Sequence, residues 1–352
     1  MKRRVAILGA GIGAEHLNGY AALPERFEVA VLCDLNPARA KAVVADHPGV
    51  RVSDDPKAVL ADDAIDIIDV CLPPHLHFDT CVAALKAGKA VVCEKPLVAS
   101  LADADRLMAV AEETGGQVYP VFQYRYGTGM AQLQALIEAG LAGRCYAGTL
   151  ETHWDRPVTY YEVDWRGTWK GEQGGALLGH AIHIHDMLPA VLGPVARVYA
   201  DVATRVSAIE VEDCAALSIR MESGAVITSS VTLGAAGNTS RMRLMFEGFT
   251  VESDNAPYAP AARPWQFVAR APTMQADLDA VLAGVDEALA GFPGLFEAMS
   301  DAMDGNGGRE VTLADGRQSL EFVTAAYHSS RIGQPVDLPL GRDHPLYGGW
   351  IP

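Results

Sequence analysis

Gly9-Ala10-Gly11-Ile12-Gly13-Ala14 is the stretch on which the fold turns. It follows an apolar run at 4–8 and opens an amphipathic segment over 14–22, so it joins a strand to a helix. The spacing fits G-x-G-x-x-G/A. The first Gly permits a tight turn, and the second lets a pyrophosphate approach the backbone. The small third residue lets helix and strand pack closely. A helix start there offers N–H groups and about half a positive charge to phosphates. An ordinary Gly-rich turn is the competing reading. Against it stands an acid, Asp34, twenty residues beyond Ala14 at the end of a second apolar run. The candidate cofactor contacts here are Gly9, Gly11, Ile12, Gly13, Ala14, Asp34 and Leu35.

Asp34 also points to NAD over NADP. Its carboxylate can accept both adenosine ribose hydroxyls. A 2′-phosphate in the same place meets a like charge, a repulsion of about 4 kcal/mol at 4 Å and an effective dielectric near 20. Leu35 and Asn36 supply no cation, and Arg39 lies one turn further on. The alternative role for Asp34 is a helix N-cap.

Outward from that turn, apolar runs at 4–8, 27–33, 65–72, 90–94 and 118–122 read as strands covered on both faces. Helical segments at 14–22, 37–46, 76–87 and 101–114 separate them. This alternation predicts an α/β fold with a doubly wound parallel sheet. After about Tyr124 the pattern changes. A helix is expected over 130–139. Beyond Pro194 the period becomes two, with Val198, Ala200, Val202, Thr204 and Val206 on one face. Ala215, Leu217, Ile219 and Met221 share another face, as do Met242, Leu244 and Phe246. A second α/β domain with a large, mostly antiparallel open sheet is expected, its uncovered face a subunit interface. The division falls at 1–123 and 124–352, with a helix over about 316–332 packing back toward the first domain.

The chain has 352 residues, 49% apolar and 20% charged, enough for two cores. Its net charge of −16 opposes nucleic-acid binding. The longest charge-free stretch, 223–240, is too rich in Ser, Thr and Gly for a membrane span. Met1-Lys2-Arg3-Arg4 before Val5-Ala6-Ile7-Leu8 imitates a signal peptide, but the apolar run is too short. Six scattered cysteines without C-x-x-C suggest neither a disulfide framework nor a structural zinc, and fit the cytoplasm.

Two further strand ends carry Cys71-Leu72-Pro73-Pro74-His75-Leu76-His77 and Cys93-Glu94-Lys95-Pro96. Carboxyl ends of parallel strands are where open α/β sheets bind ligands. With these motifs, with AALKAGKAVVCEKPL, GGALLGHAIHIHD and SSRIGQPVDLPL, the chain resembles the glucose–fructose oxidoreductase / inositol dehydrogenase (Gfo/Idh/MocA) family over nearly its whole length. Glu94-Lys95-Pro96 is the most specific of them. The resemblance implies a Rossmann domain, a second domain with an open sheet, and NAD(P)-dependent oxidation of sugars, cyclitols or related hydroxy compounds. It adds Leu72, Pro73, His77, Glu94, Lys95 and Gln123 to the cofactor contacts. It makes Lys95 and His183 the catalytic pair. Pro96 is a candidate cis-proline that aims Lys95.

The chemistry agrees. Oxidising a secondary alcohol requires a base for the hydroxyl proton, and an unperturbed histidine titrates near neutrality. A lysine ammonium stabilises the developing alkoxide. The plainer reading of Lys95 is a surface ion pair. His180, His183 and Asp186 fall on one stripe of a helix running to about Leu192. Their side chains are ordinary zinc ligands, yet no metal is expected. The plainer reading of His183 and His185 is core imidazoles bonded to carbonyls. Many relatives carry Asp four residues before the catalytic His, where this chain has Gly179. His180 is then a candidate replacement.

Before that helix, Trp154, Arg156, Tyr161, Arg166 and Lys170, with Arg125 at the domain junction, suit a sugar's C–H faces, hydroxyls or carboxylate. Solvated loop charges are the alternative. The expected protein is thus an NAD-dependent dehydrogenase of a sugar, sugar acid or cyclitol, acting as a homodimer or homotetramer. The rivals are an NAD-dependent glycosidase or lyase using transient oxidation, and a non-catalytic NAD sensor.

Overall fold

The computed structural model describes residues 2–352. It divides into two compact units, one comprising the residues through Val121 with Leu295–Arg317, the other Phe122–Gly294 with Gln318–Pro352. A linear division at 123/124 leaves 295–317 with the second part. Here that segment is built into the first, where Arg317 Nε donates to Asp105 Oδ1 at 2.5 Å.

The first unit holds β1 (Arg3–Leu8), α1 (Gly13–Ala21), β2 (Phe27–Cys33), α2 (Pro37–Val43), β3 (Arg51–Ser53) and α3 (Pro56–Leu60). It continues through β4 (Ile67–Val70), α4 (His77–Lys86), β5 (Ala90–Cys93), α5 (Leu101–Thr114) and β6 (Val118–Pro120). The strands are parallel and ordered β3-β2-β1-β4-β5-β6. That is the dinucleotide-binding order, with the reversal between β1 and β4.

Local chemistry sets the boundaries. Asn36 accepts from the Arg39 N–H and Pro37 supplies the first φ of α2. Ser100 caps α5 through the Asp103 N–H, and Gly115 ends it at φ 62°. Strand β3 escaped the sequence reading because it is three residues long with no fully buried side chain. The run at 65–72 gives a strand of four residues only, and its third, Asp69, is a wholly buried carboxylate.

The second unit's sheet runs β13-β12-β11-β7-β10-β9-β8-β14. Its strands are β7 (Cys145–Asp155), β8 (Val195–Ala203), β9 (Cys214–Met221), β10 (Val226–Thr232), β11 (Gly234–Phe246), β12 (Phe249–Glu252), β13 (Gln266–Ala269) and β14 (Val336–Asp337). Only β10 with β7 is parallel. Alternation along β9 buries Ala215, Leu217, Ile219 and Met221 and exposes Ala216, Ser218 and Arg220. Strand β8 stops at Ala203, so Thr204 and Val206 leave the face expected for them, and Val206 is exposed.

The helices are α6 (Thr128–Glu138), the one-turn α7 (Trp169–Glu172), α8 (Ile182–Leu192), α9 (Gln275–Leu282), α10 (Gly291–Met303) and α11 (Leu313–Ile332). From Leu295 onward α10, with the loop after it and α11 as far as Arg317, belongs to the first unit. The helix expected to run to about Leu192 begins as a wide π turn, Leu177–Ala181, which runs into α8. Among the described residues no helix is long and apolar enough to cross a membrane.

Candidate active site

In the first unit, β1 delivers the chain to Gly9 at φ +104°, where an added Cβ would lie 2.3 Å from the Cys71 carbonyl oxygen. Only glycine fits there. At Gly13 an added Cβ would lie 2.8 Å from Ile7 Cγ2, so the start of α1 sits directly on β1. Above Gly11 nothing lies within 4 Å of such a position. Ile12 precedes α1 without a side-chain cap, so the first-turn N–H groups are not claimed by a capping side chain. This cradle fits a pyrophosphate, and its residues are those the fingerprint named.

Asp34 has partners of its own within the first unit. Its carboxylate accepts from Ala10 N at 2.8 Å and from Asn36 N at 2.7 Å. It also pairs with Arg39, whose guanidinium reaches back to 2.7 Å. The cation set aside as one turn away is therefore on the acid. Burial raises the Asp34 carboxyl, and these donors outweigh it and hold it below the usual range. The N-cap of α2 is Asn36, not Asp34. Leu35 is exposed and Leu72 and Pro73 half-buried. His77, expected at the cofactor, is buried with its ring nitrogens 2.8 Å from the carbonyl oxygens of Leu72 and Pro96. It ties the two motif loops together. The Lys95–Pro96 peptide is cis. Lys95 is half-buried, and its backbone N–H donates to Glu94 Oε2 at 3.0 Å.

Behind Glu94 lies a cluster that the sequence reading missed. His16 on α1 is wholly buried, with Nδ1 2.8 Å from Asp69 Oδ2 and Nε2 3.1 Å from Glu94 Oε1. The Cys71 thiol lies 3.4 Å from both His16 Nδ1 and Asp69 Oδ1. Burial opposes charge on His16, and Asp69 overrides it, holding the imidazole well above its usual range. Burial pushes the Cys71 thiol up, so it stays protonated. The signal was Asp69, an acid inside a strand buried on both faces.

In the second unit the His-rich segment resolves into three settings. His180, in the π turn, faces Arg156 Nε at 3.2 Å and the Tyr160 hydroxyl at 3.5 Å, with Trp154 edge-on. His183 stacks on Tyr124, ring centroids 4.7 Å apart and planes 21° from parallel, with Phe122 edge-on. His185 points into the core, 2.8 Å from Ser229 Oγ against Phe322, and burial pushes it down to about 3. Asp186 does not share a ligand set with the histidines. It takes a two-pronged ion pair from Arg125 at 2.6 and 2.7 Å. Among the described residues the one set of ligand-type side chains close enough to share a metal is His16, Asp69 and Cys71.

Trp154 is the penultimate residue of β7 rather than part of a loop, and the Arg156 guanidinium covers its ring at 4.5 Å. Arg156 and Arg166 both lie over Tyr160, at 5.0 and 3.9 Å. Tyr160 is thus the central ring, whereas Tyr161 turns toward Gly167, and burial raises its hydroxyl to about 12. Burial and Arg156 lower Arg166 against the pull of Glu172. Lys170 is exposed and makes none of these contacts. Gln123 belongs to this unit, in a single 3-10 turn with Tyr124 and Arg125. The start of the π turn is anchored by Glu212, which accepts from the N–H groups of Gly175 and Leu177 and from the Tyr327 hydroxyl. Burial raises Glu212 to about 7.

Residues 3–122 match the oxidoreductase family model with an NAD-binding Rossmann fold, and residues 130–252 match the GFO/IDH/MocA C-terminal domain. The chain belongs to the GFO/IDH/MocA oxidoreductase family. Among solved members, the WlbA dehydrogenase from Bordetella pertussis, in complex with NADH and UDP-GlcNAcA, is 30% identical with a TM-score of 0.83. The alignment covers 97% of this chain and all of that one. The D-glucoside 3-dehydrogenase of Escherichia coli K12 is 29% identical over 194 residues, 54% of each chain. An inositol 2-dehydrogenase of Salmonella paratyphi B is 30% identical over 174 residues, 46% of this chain and 52% of that enzyme. The chain thus spans about half the length of these curated GFO/IDH/MocA relatives. One departure from many members, Gly179, is not forced by crowding, since an added Cβ there meets nothing within 4 Å.

Proposed function

We propose that this chain oxidises a secondary alcohol of a sugar, sugar acid or cyclitol with NAD. The Gly9–Ala14 turn and the N-terminus of α1 would hold the pyrophosphate, Asp34 the adenosine ribose, and the loops after β4 and β5 the remainder. Bound NAD supplies the acceptor for the electron pair leaving the alcohol carbon. The protein's part is the proton. An imidazole nitrogen of His183 takes it from the hydroxyl, a contribution of about 10²–10⁴ in rate for a positioned base. The Lys95 ammonium donates to the oxygen as it becomes an alkoxide. Arg156, Arg166, Tyr160, Trp154 and His180 form an aromatic and cationic wall suited to a polyhydroxy or carboxylated ring. The observation that carries this reading is the setting of His183. It is buried and stacked on Tyr124, three residues from the Arg125–Asp186 pair that pins its helix.

A panel of sugars, sugar acids and cyclitols, offered with NAD and NADP, tests it by absorbance of the reduced cofactor. A net dehydrogenase accumulates NADH in proportion to product. Substrate consumed without NADH would instead indicate the transient-oxidation glycosidase or lyase, and NAD binding without turnover a sensor.

A homodimer or homotetramer through the open face of the second sheet belongs to the same proposal. That face presents Ala216, Ser218, Thr228 and Ser230 beside the larger Tyr199, Arg220 and Val226. A monomer mass by light scattering at micromolar concentration would refute it. Six unpaired cysteines suit a reducing cytoplasm.

A further inference from the structure

The His16 cluster has no part in the reaction as proposed, yet it touches it at one atom. Glu94 uses both carboxylate oxygens: Oε1 faces His16 Nε2 at 3.1 Å, and Oε2 accepts the Lys95 backbone N–H at 3.0 Å. His16 is in turn fixed by Asp69 at 2.8 Å and by Phe296, whose ring meets it edge-on at 5.5 Å. A neutral imidazole has one N–H, whereas two carboxylates face the two nitrogens. Only the imidazolium donates to both. A side chain 0% exposed between two acids is held there by charge-assisted bonds, which are short and directional. The chain of contacts therefore runs from Asp69 in β4, through His16 in α1 and Glu94 after β5, to the backbone of Lys95.

We propose that His16 is a positioning residue: it holds the Glu94 carboxylate in the one orientation that receives the Lys95 N–H, and so sets where Lys95 presents its side chain. This rests on the reading of Lys95 as the group that stabilises the alkoxide. A misplacement of about 1 Å in such a group costs on the order of 10²-fold in rate. The groups facing the ring are Asp69, Cys71 and Glu94, with Tyr20 raised by burial and by Asp69 on the far side. Cys71, kept protonated, adds no charge of its own.

Two substitutions separate the two nitrogens. His16→Gln places an amide N–H near the position of Nε2 and keeps the bond to Glu94. His16→Asn mimics Nδ1 and keeps only Asp69. The first readout needs no substrate: amide hydrogen exchange of Lys95, followed by NMR in the full chain. In His16→Asn the Lys95 amide loses protection by about tenfold, the equivalent of roughly one net hydrogen bond, while the Val92 amide in β5 is unchanged. In His16→Gln Lys95 protection is kept. Equal loss in both variants, or in neither, overturns the proposal. If His16→Asn does not fold, Asp69→Asn gives the second test, because it removes the charge that holds His16 protonated while keeping the side chain's size. Lys95 protection should again fall selectively, and protection unchanged from the parent chain overturns the proposal.

The second readout is turnover with NAD on whichever of D-glucose, D-glucuronate and myo-inositol reacts fastest. His16→Asn should lower kcat by about 10–100-fold with KM changed much less, and His16→Gln should lie between it and the parent. In a Lys95→Ala background His16→Asn should cost nothing further, because both act through one group. An equal loss with and without Lys95 means a merely structural histidine. Full activity of Lys95→Ala alone would instead sink the role given to Lys95, and the exchange result would stand apart from it.

Discussion

The imidazole of His183 lies face to face with the phenol of Tyr124, 4.7 Å between centroids, and an edge of Phe122 closes a second side. Stacking fixes the ring plane, so rotation of the imidazole is restrained. A base held this way should fail specifically in the chemical step. His183→Ala is expected to cut kcat by about 10²–10⁴ with the NAD dissociation constant nearly unchanged. Stopped-flow turnover and NAD titration by protein fluorescence check it. Near-normal turnover would move the acid/base role elsewhere, with His180 the first candidate.

The missing carboxylate gives a companion prediction. Gly179 has open space where a Cβ would stand, so Gly179→Asp should fold with its melting temperature changed by no more than a few degrees. Its place in the wide π turn gives it a different angular offset from His183 than a regular helix would. Turnover should not rise. A severalfold increase in kcat would show that the absent acid is a true deficiency and that His180 has not replaced it.

The Arg125–Asp186 pair joins the 3-10 turn after Phe122 to the helix bearing His183. Asp186 is 1% exposed in its side chain, so removing the guanidinium takes a counter-charge away from a buried carboxylate. Arg125→Ala should cost about 3–5 kcal/mol in urea unfolding. Arg125→Met with Asp186→Leu should recover most of that loss while turnover stays low. Equal destabilisation of the single and double variants would mean that packing, not charge, dominates there.

How much of this was readable beforehand follows from how local the signals are. The Gly9–Ala14 turn, α2 behind Asn36-Pro37 and α5 behind Ser100 are specified by neighbours in sequence, and the structure has them within a few residues. Strand β7 was not anticipated because two of its inward positions, Gly148 and Thr152, are small or polar and alternate with Leu150 and Trp154, masking the apolar alternation. The choice of Tyr160 over Tyr161 depends on which ring two arginines meet, which no spacing records. Asp34 shows the same limit. Its position was legible, but the reach of Arg39 back across a helical turn was not. The partners of His16 lie 53 and 78 residues away and meet only when three parallel strands stand side by side.

Glu212 gives a prediction in pH. Its carboxyl is raised from about 4.5 to about 7 by burial, so the folded chain holds this proton over a range where the unfolded chain has lost it. The stability it contributes is full below about pH 4.5 and is lost as pH rises through about 7, up to roughly 3 kcal/mol for this shift. Glu212→Gln, which cannot ionise, should flatten the fall in unfolding free energy between pH 5 and 7.5. Parallel curves for the two proteins across that interval would contradict this.

Cofactor choice depends on a pair rather than a single acid. Arg39 donates to both Asp34 oxygens, at 2.8 and 2.7 Å, and its own side chain is 56% exposed. Asp34 also braces the glycine turn through Ala10 N and the start of α2 through Asn36 N. In Asp34→Ala the ribose acceptor and the negative charge disappear together, and Arg39 is released toward any 2′-phosphate. NAD should weaken by about 10–100-fold, the worth of one charge-assisted bond, while NADP holds steady or tightens. Asp34→Asn keeps an acceptor for the two backbone N–H groups but not the charge, so it separates bracing from electrostatics. It should lose less NAD affinity than Asp34→Ala and show the same drift toward NADP. Arg39→Ala should leave NAD affinity within a few-fold and weaken NADP further, because the bare carboxylate then repels the phosphate. Calorimetric dissociation constants for both cofactors across the three variants decide the matter. Equal losses of NAD and NADP in Asp34→Ala would reduce the acid to a brace for the turn, and tighter NADP binding in Arg39→Ala would reverse the assignment of the arginine.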